Sequence, residues 1–247
     1  MKSLLKMTWM EAKLFLREPV GTFFTIIFPL IYLILFGSIS GNEPSPISAG
    51  RGTIETAIPS LTAMIICITG LIAISITITS YREKGILRRL RTTPVSPLIV
   101  LGAQLIVVFA MTALGMLLLI AVGMLFYQVR FAGNMLSLLA GFTLSSLSFF
   151  GIGFILAGAL PSFRAAQIIG NVLIYPMVFL SGTFFPIEMF PPAIQKVANF
   201  IPLTYVVNLL RGLWFGEPWR DHLLDVGVLA GMLVVGVVVS VKVFRWE

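Results

Sequence analysis

Between Arg91 and Arg130 the chain carries no charged side chain, and its stretch Leu98 to Tyr127 contains no Pro, Asn or Asp. Such a run predicts one uninterrupted helix, longer than the roughly 20 residues that cross a hydrocarbon core about 30 Å thick. Hydrophobic residues make up 58% of the chain and charged residues 11%, with a mean hydropathy of +1.02. A soluble domain needs about 25% charged residues to wet its surface. Strands of a membrane barrel would alternate apolar with polar, and these runs do not. The expected fold class is an all-α membrane protein, a single transmembrane domain over 1–247.

Cutting the chain at its charges leaves six segments long enough to cross: 22–40, 57–80, 98–127, 135–160, 165–182 and 223–241, the last with a weak start at Asp225 near an interface. Six crossings place both termini on one side. That side holds Lys2, Lys6, Lys13, Arg17, Arg82, Lys84, Arg88, Arg89, Arg91, Arg164, Lys242 and Arg245, leaving Arg51, Arg130, Lys196, Arg211 and Arg220 opposite. The positive-inside rule makes the richer side cytoplasmic. The net charge of +7 is then topological, with anionic lipid and a cytoplasmic partner as counter-surfaces; nucleic acid is not an expected partner. No cleaved signal peptide is expected, because Glu11 and Glu18 precede the first apolar run. The single cysteine, Cys67, lies within the second expected span and has no partner for a disulfide within the chain.

Three segments are not spans. Over 1–18, Lys2, Lys6, Lys13 and Arg17 fall on one helical stripe, with Leu4, Leu5, Met7, Trp9, Leu14, Phe15 and Leu16 over much of the rest. That pattern predicts an amphipathic helix lying in the membrane interface; a merely topogenic basic leader is the alternative. Glu11 falls opposite the basic stripe and should have a protein partner. The loop Tyr81 to Pro97 reads as a cytoplasmic helix with Lys84, Arg88 and Arg91 on one face and Glu83 amid Ile86, Leu87 and Leu90 on another. A carboxylate there is expected to pair with a cation on a different element. After the fifth span, Pro186, Pro191, Pro192 and Pro202 cut an apolar stretch into pieces too short to cross. Two short re-entrant helices over 192–200 and 203–215 are expected, covered by protein, with Trp214, Trp219 and Tyr205 at the interface. A plain outer loop is the alternative. The small and hydroxylated residues Gly141, Gly151, Gly153, Ala157 and Gly158, and Ser75, Thr77 and Thr79, are expected at close helix contacts.

No catalytic constellation is present. There is no H-E-x-x-H, the one histidine, His222, lies near an outer surface, and no G-x-x-x-x-G-K-[ST] loop exists to cradle nucleotide phosphates. The chain is expected to be no enzyme and to hold neither metal nor cofactor. Any nucleotide energy must come from another polypeptide.

Two motifs, REKGILRRLRTTPVSP at Arg82 to Pro97 and SGTFFPIEMFPPAIQKVANFIPLTYVVNLLRG at Ser181 to Gly212, follow the basic N-terminal helix in that order. In this arrangement the chain resembles, over essentially its whole length, the permease subunits of type-2 ATP-binding-cassette (ABC) exporters. The family includes antibiotic-resistance permeases and bacterial glycan exporters. The resemblance implies an inner-membrane exporter subunit, paired with a second permease copy as a homodimer and driven by separate ABC ATPase subunits that bind ATP and Mg. It implies that the first motif is a coupling helix at 82–97, with Arg82, Glu83, Lys84, Gly85, Leu87, Arg88 and Leu90 contacting the ATPase. The turn with Pro161, Ser162 and Arg164 would be a smaller contact. It places Asn171, Tyr175 and Phe179 along the substrate pathway, or else in the core, and Thr183, Phe184 and Phe185 near an outer gate in the region 183–216. Asn208 stands where relatives often carry an acidic residue, which puts in doubt an ion pair to Arg211. Hydrophobic or amphiphilic cargo, drug or lipid-like, is expected. A lipid-linked glycan or oligosaccharide is the alternative cargo, and a non-transporting scaffold or sensor the alternative of another class.

Overall fold

The computed structural model describes residues 2–43, 50–86, 89 and 97–243. Helix α1 covers Lys2–Arg17. Helix α2, Pro19–Thr22, runs through a π-turn at Phe23–Ile27 into α3, Phe28–Ser40. Helix α4, Thr53–Ile68, continues through a second π-turn, Thr69–Ala73, into α5, Ile74–Glu83. There follow α6 (Pro97–Tyr127), α7 (Met135–Ala159), α8 (Phe163–Leu180), α9 (Pro192–Ala198), α10 (Pro202–Trp214) and α11 (Leu223–Val243). The described residues thus form an all-α membrane protein. Five helices are long and apolar enough to cross: Thr53–Glu83, Ile99–Tyr127, Met135–Ala159, Phe163–Leu180 and Trp219–Lys242. The remaining expected crossing, 22–40, is helical as well, but its apolar part, Phe23–Ile39, is shorter.

The Thr53–Glu83 span is the centre of the bundle, buried over most of its length and packed on α6, α7, α8 and α10. It starts four residues before the expected boundary, because Gly52 turns extended there and Glu55 occupies the first turn, where a carboxylate suits the helix dipole. Cys67 is fully enclosed. At the π-turn the Thr69 hydroxyl donates back to the carbonyls of Ile65 at 2.8 Å and Ile66 at 3.2 Å, the local bonding that accompanies a widened helical turn. The Thr112 hydroxyl of α6 adds a bond to Thr69 at 3.1 Å.

Small residues set the closest contacts, as their positions predicted. A Cβ on Gly153 would collide with the Gly70 carbonyl oxygen, so α7 and the central span touch backbone to backbone. The Ser75 hydroxyl closes that contact by donating to the Gly153 carbonyl at 2.9 Å. On its other side α7 meets α11 at Gly151 and Gly236, and Ser148 donates to the Leu229 carbonyl at 2.7 Å. Apolar surface drives no association between helices surrounded by hydrocarbon, so this fit and these bonds carry the packing.

Two short helices follow α8, α9 and α10, and α10 is covered by protein. Leu203, Val206, Val207, Leu209, Leu210 and Leu213 are buried. Trp214, expected at the membrane interface, is 1% exposed and packs edge-on against Phe131 with centroids 4.9 Å apart. It closes the apolar face of α10 instead. Replacing Gly153 by Val is expected to destabilise the bundle by about 1–3 kcal/mol, seen as a lowered unfolding temperature in detergent, whereas Val at Gly227, where nothing lies within 4 Å of a new Cβ, leaves it unchanged.

Candidate functional site

The end of the bundle that carries α1 and Glu83 is held by polar contacts between elements distant in sequence. Helix α1 rests on α6, turning Phe15 and Glu11 inward and leaving Leu5, Trp9, Leu14 and Leu16 exposed, an amphipathic division as predicted. Glu11 is only 3% exposed, and the partner it required is Tyr81, whose hydroxyl donates to both carboxylate oxygens at 2.8 Å. Burial pushes the Glu11 carboxyl above the ordinary carboxylate range, and the Tyr81 hydrogen bond offsets part of that.

The next residue, Arg82, turns to a different neighbour. Its Nη1 donates to the carbonyls of Ala157 at 3.0 Å and Gly158 at 3.5 Å, and Nη2 donates to the Leu160 carbonyl. Arg82 and Glu83 belong to the last turn of α5 rather than to a separate helix. Gly85, at φ +64°, ends the turn in the left-handed region that favours glycine, and Arg89 N–H then donates to the Gly85 carbonyl at 3.0 Å. Lys84 and Glu83 are exposed. Glu83 therefore departs from the expectation of an enclosed carboxylate: it is exposed on the last turn of α5. Leu87, Arg88 and Leu90 lie outside the described residues. In the α7–α8 turn, Pro161 and Arg164 are exposed, while the Ser162 hydroxyl caps α8 by accepting from Ala165 N–H at 3.1 Å.

Helix α8 is a contrast, with little of its length covered by the rest of the chain. Asn171 is half-buried, while Tyr175 and Phe179 are 61% and 52% exposed. Phe179 contacts Phe184 at 5.7 Å between centroids, Phe184 contacts Tyr32 at 5.1 Å, and Tyr32 stacks on Phe36 at 4.2 Å. Thr183 is buried, its hydroxyl 2.8 Å from that of Ser181, and Phe185 is exposed. The structure thus joins Phe179 and Phe184 to Tyr32 and Phe36, a pair four residues apart on α3 whose helical spacing was the signal available in the sequence.

At the opposite end, Arg51 pairs with Glu217 at 2.9 Å, Glu217 lies 3.1 Å from His222 Nε2, and Asp225 lies 2.9 Å from His222 Nδ1. Gly212 makes room for this row, since a Cβ there would overlap the imidazole. The Arg51 hydrogen bond holds the Glu217 carboxyl below its usual range, opposed by burial and aided by His222. Arg211 donates to Ser60 Oγ at 2.8 Å and to the Gly182 carbonyl at 3.0 Å, tying α10 to α4 and to the turn after α8. Sequence reasoning missed the row because Arg51 lies 166 positions from Glu217, although Glu217, His222 and Asp225 share one short stretch.

A family model described as ABC-2 type transporter matches residues 2–215. The chain belongs to the ABC-2 type transporter family. Nodulation protein J of Rhizobium leguminosarum bv. viciae is 33% identical over 102 residues, 41% of this chain and 39% of that protein. A probable multidrug ABC transporter permease, YbhS of Escherichia coli K12, is 30% identical over 158 residues, 64% of this chain and 42% of its own. YbhR of the same strain is 24% identical over 164 residues, 66% and 45%. The matched region spans about two fifths of the length of these relatives. As an ABC-2 family member with several apolar helices the chain is a multi-pass membrane protein.

Glu11 and Glu217 respond to pH with opposite signs. Glu11, raised, contributes to the docking of α1 below the ordinary carboxylate pKa and ceases to as pH rises through its raised value. Glu217, lowered, contributes above the ordinary value and ceases to as pH falls through its lowered one. Amide protection measured against pH is expected to fall around residues 5–15 on the alkaline side and around 212–225 on the acid side. Glu11→Gln should flatten the first profile and Glu217→Gln the second.

Proposed function

We propose that the chain is the membrane-spanning subunit of an ATP-driven exporter in the bacterial inner membrane, with both termini cytoplasmic and six crossings, 22–40 being the first. Separate ABC ATPase subunits bind ATP with Mg and supply the work through different affinities for it in the inward- and outward-open states. Glu83, Lys84 and Gly85, with Leu87, Arg88 and Leu90, form the main ATPase contact, and Pro161, Ser162 and Arg164 a smaller one.

The observation that carries this reading, beyond family membership, is the uncovered face of α8 beside the aromatic group Tyr32, Phe36, Phe179 and Phe184. A second copy of the chain facing this surface encloses a path lined by Asn171, Tyr175 and Phe179, with Thr183, Phe184 and Phe185 at its outer gate. Rings and a few neutral polar groups suit hydrophobic or amphiphilic cargo, drug or lipid-like, over ions. The stacked pair Tyr32 and Phe36, 4.2 Å apart and inclined by 23°, also favours a second reading, a lipid-linked glycan, because flat ring faces pack against sugars.

Native purification from membranes is expected to bring an ABC ATPase with the chain, and a preparation never containing one rejects the exporter reading in favour of a scaffold or sensor. Alkaline-phosphatase fusions at residues 50 and 131 should be active and those at 85 and 162 inactive; the reverse pattern inverts the topology. Phe179→Ala with Tyr32→Ala should lower export by about tenfold, the scale of losing one to two kilocalories of aromatic contact, while ATP hydrolysis continues.

A further inference from the structure

We propose that Tyr81 and Arg82 form a junction that makes α1, α5 and α7 answer the ATPase together, a role that rests on the exporter reading. Both are positioning residues at the end of the central span, and each grips a different helix.

The reason begins at Pro161. An α-helical carbonyl is normally satisfied by the N–H four residues on, but for Ala157 that residue is Pro161, which has none. The next carbonyl, Gly158, loses its donor because Ser162 is extended and caps α8 instead. Leu160 adds a third carbonyl beyond the end of α7. The Arg82 guanidinium supplies N–H groups to all three, and its positive charge faces the negative end of the α7 dipole. A planar fork spans several acceptors where an ammonium group does not.

Adjacent residues on a helix point about 100° apart, so Tyr81 cannot share the α7 contact. It reaches α1 instead, donating to the enclosed carboxylate of Glu11. The loop expected to receive the ATPase begins immediately after these two residues, and the smaller contact at 161–164 begins where the Arg82 acceptors end. A displacement of the loop therefore pulls on the end of α7 through Arg82 and on α1 through Tyr81. Arg82 serves the ATPase through α7 rather than by touching it.

The test is hydrogen exchange on the chain in lipid nanodiscs with its copurified ATPase, with and without ATP and orthovanadate. In the wild type, peptides 5–15, 76–86 and 155–165 should all change. In Arg82→Gln the change should persist in 76–86 and fall about fivefold or more in 155–165, with partial recovery in Arg82→Lys. Tyr81→Phe should silence 5–15 alone. An undiminished response at 155–165 in Arg82→Gln overturns the proposal, as does loss of the ATPase from that variant, which would return Arg82 to the docking surface. The permease without ATPase offers an independent measurement: Arg82→Gln should raise exchange over 158–164 about tenfold, the scale of losing charge-assisted hydrogen bonds, and no rise defeats the junction. Failure to find any ATPase defeats only the exporter reading. Should Arg82→Gln not fold, Tyr81→Phe decides, since an unaltered 5–15 response in that variant equally overturns the junction.

Discussion

The architecture depends on how closely α7 approaches the central span at Gly70 and Gly153. With the Gly153 Cα facing a carbonyl oxygen, the helices meet at a distance that any side chain would forbid. Van der Waals contact falls away steeply with separation, and in hydrocarbon it is the main attraction available. The same helix meets α11 at Gly151 and Gly236, so α7 holds the last span to the centre. Serines complete both faces, Ser75 toward one and Ser148 toward the other.

Polar groups then concentrate at the two ends, where regular hydrogen bonding stops. At one end a proline removes a donor, and an arginine from another helix replaces it. At the other, His222 stands between two carboxylates while Arg51 balances Glu217. Between the ends, hydroxyls mostly return to carbonyls of their own helix, as Thr62, Thr79 and Thr112 do. Among the described residues one guanidinium, that of Arg211, reaches inward to the buried Ser60, and the ends define how the elements are arranged.

Much of this was legible in the sequence, and for a physical reason. Crossing length and the cost of burying charge act on contiguous residues, so α6 and α7 announce themselves by runs free of charge, and α8 and α11 by runs whose charges stand only at their ends. Glycine and serine positions marked the α7 contacts because close approach permits little else. Glu11 betrayed its need of a partner by lying opposite the basic stripe. Long-range pairings were not legible. Nothing local says that Arg82 reaches residues 157–160, or that Arg51 meets Glu217 across 166 positions. Trp214 read as an interfacial ring because tryptophan is common there, whereas the apolar face of α10 determined its place. Glu83 reads as enclosed in the sequence because a single helix through Gly85 would set it amid Ile86, Leu87 and Leu90, whereas α5 ends at Glu83 itself.

The π-turn at Thr69–Ala73 has an effect on phase. A π-turn accommodates one residue more than the α-helical turn it replaces, and each residue advances an α-helix by about 100°. Faces on α4 and α5 are consequently offset by that angle, so a single helical wheel drawn from Thr53 to Glu83 misaligns its two halves. The azimuth of Tyr81 and Arg82 is inherited from this one surplus position near the middle of the bilayer-length helix. Remove it, and the phenol and the guanidinium would swing away from Glu11 and the α7 carbonyls without either side chain having been altered.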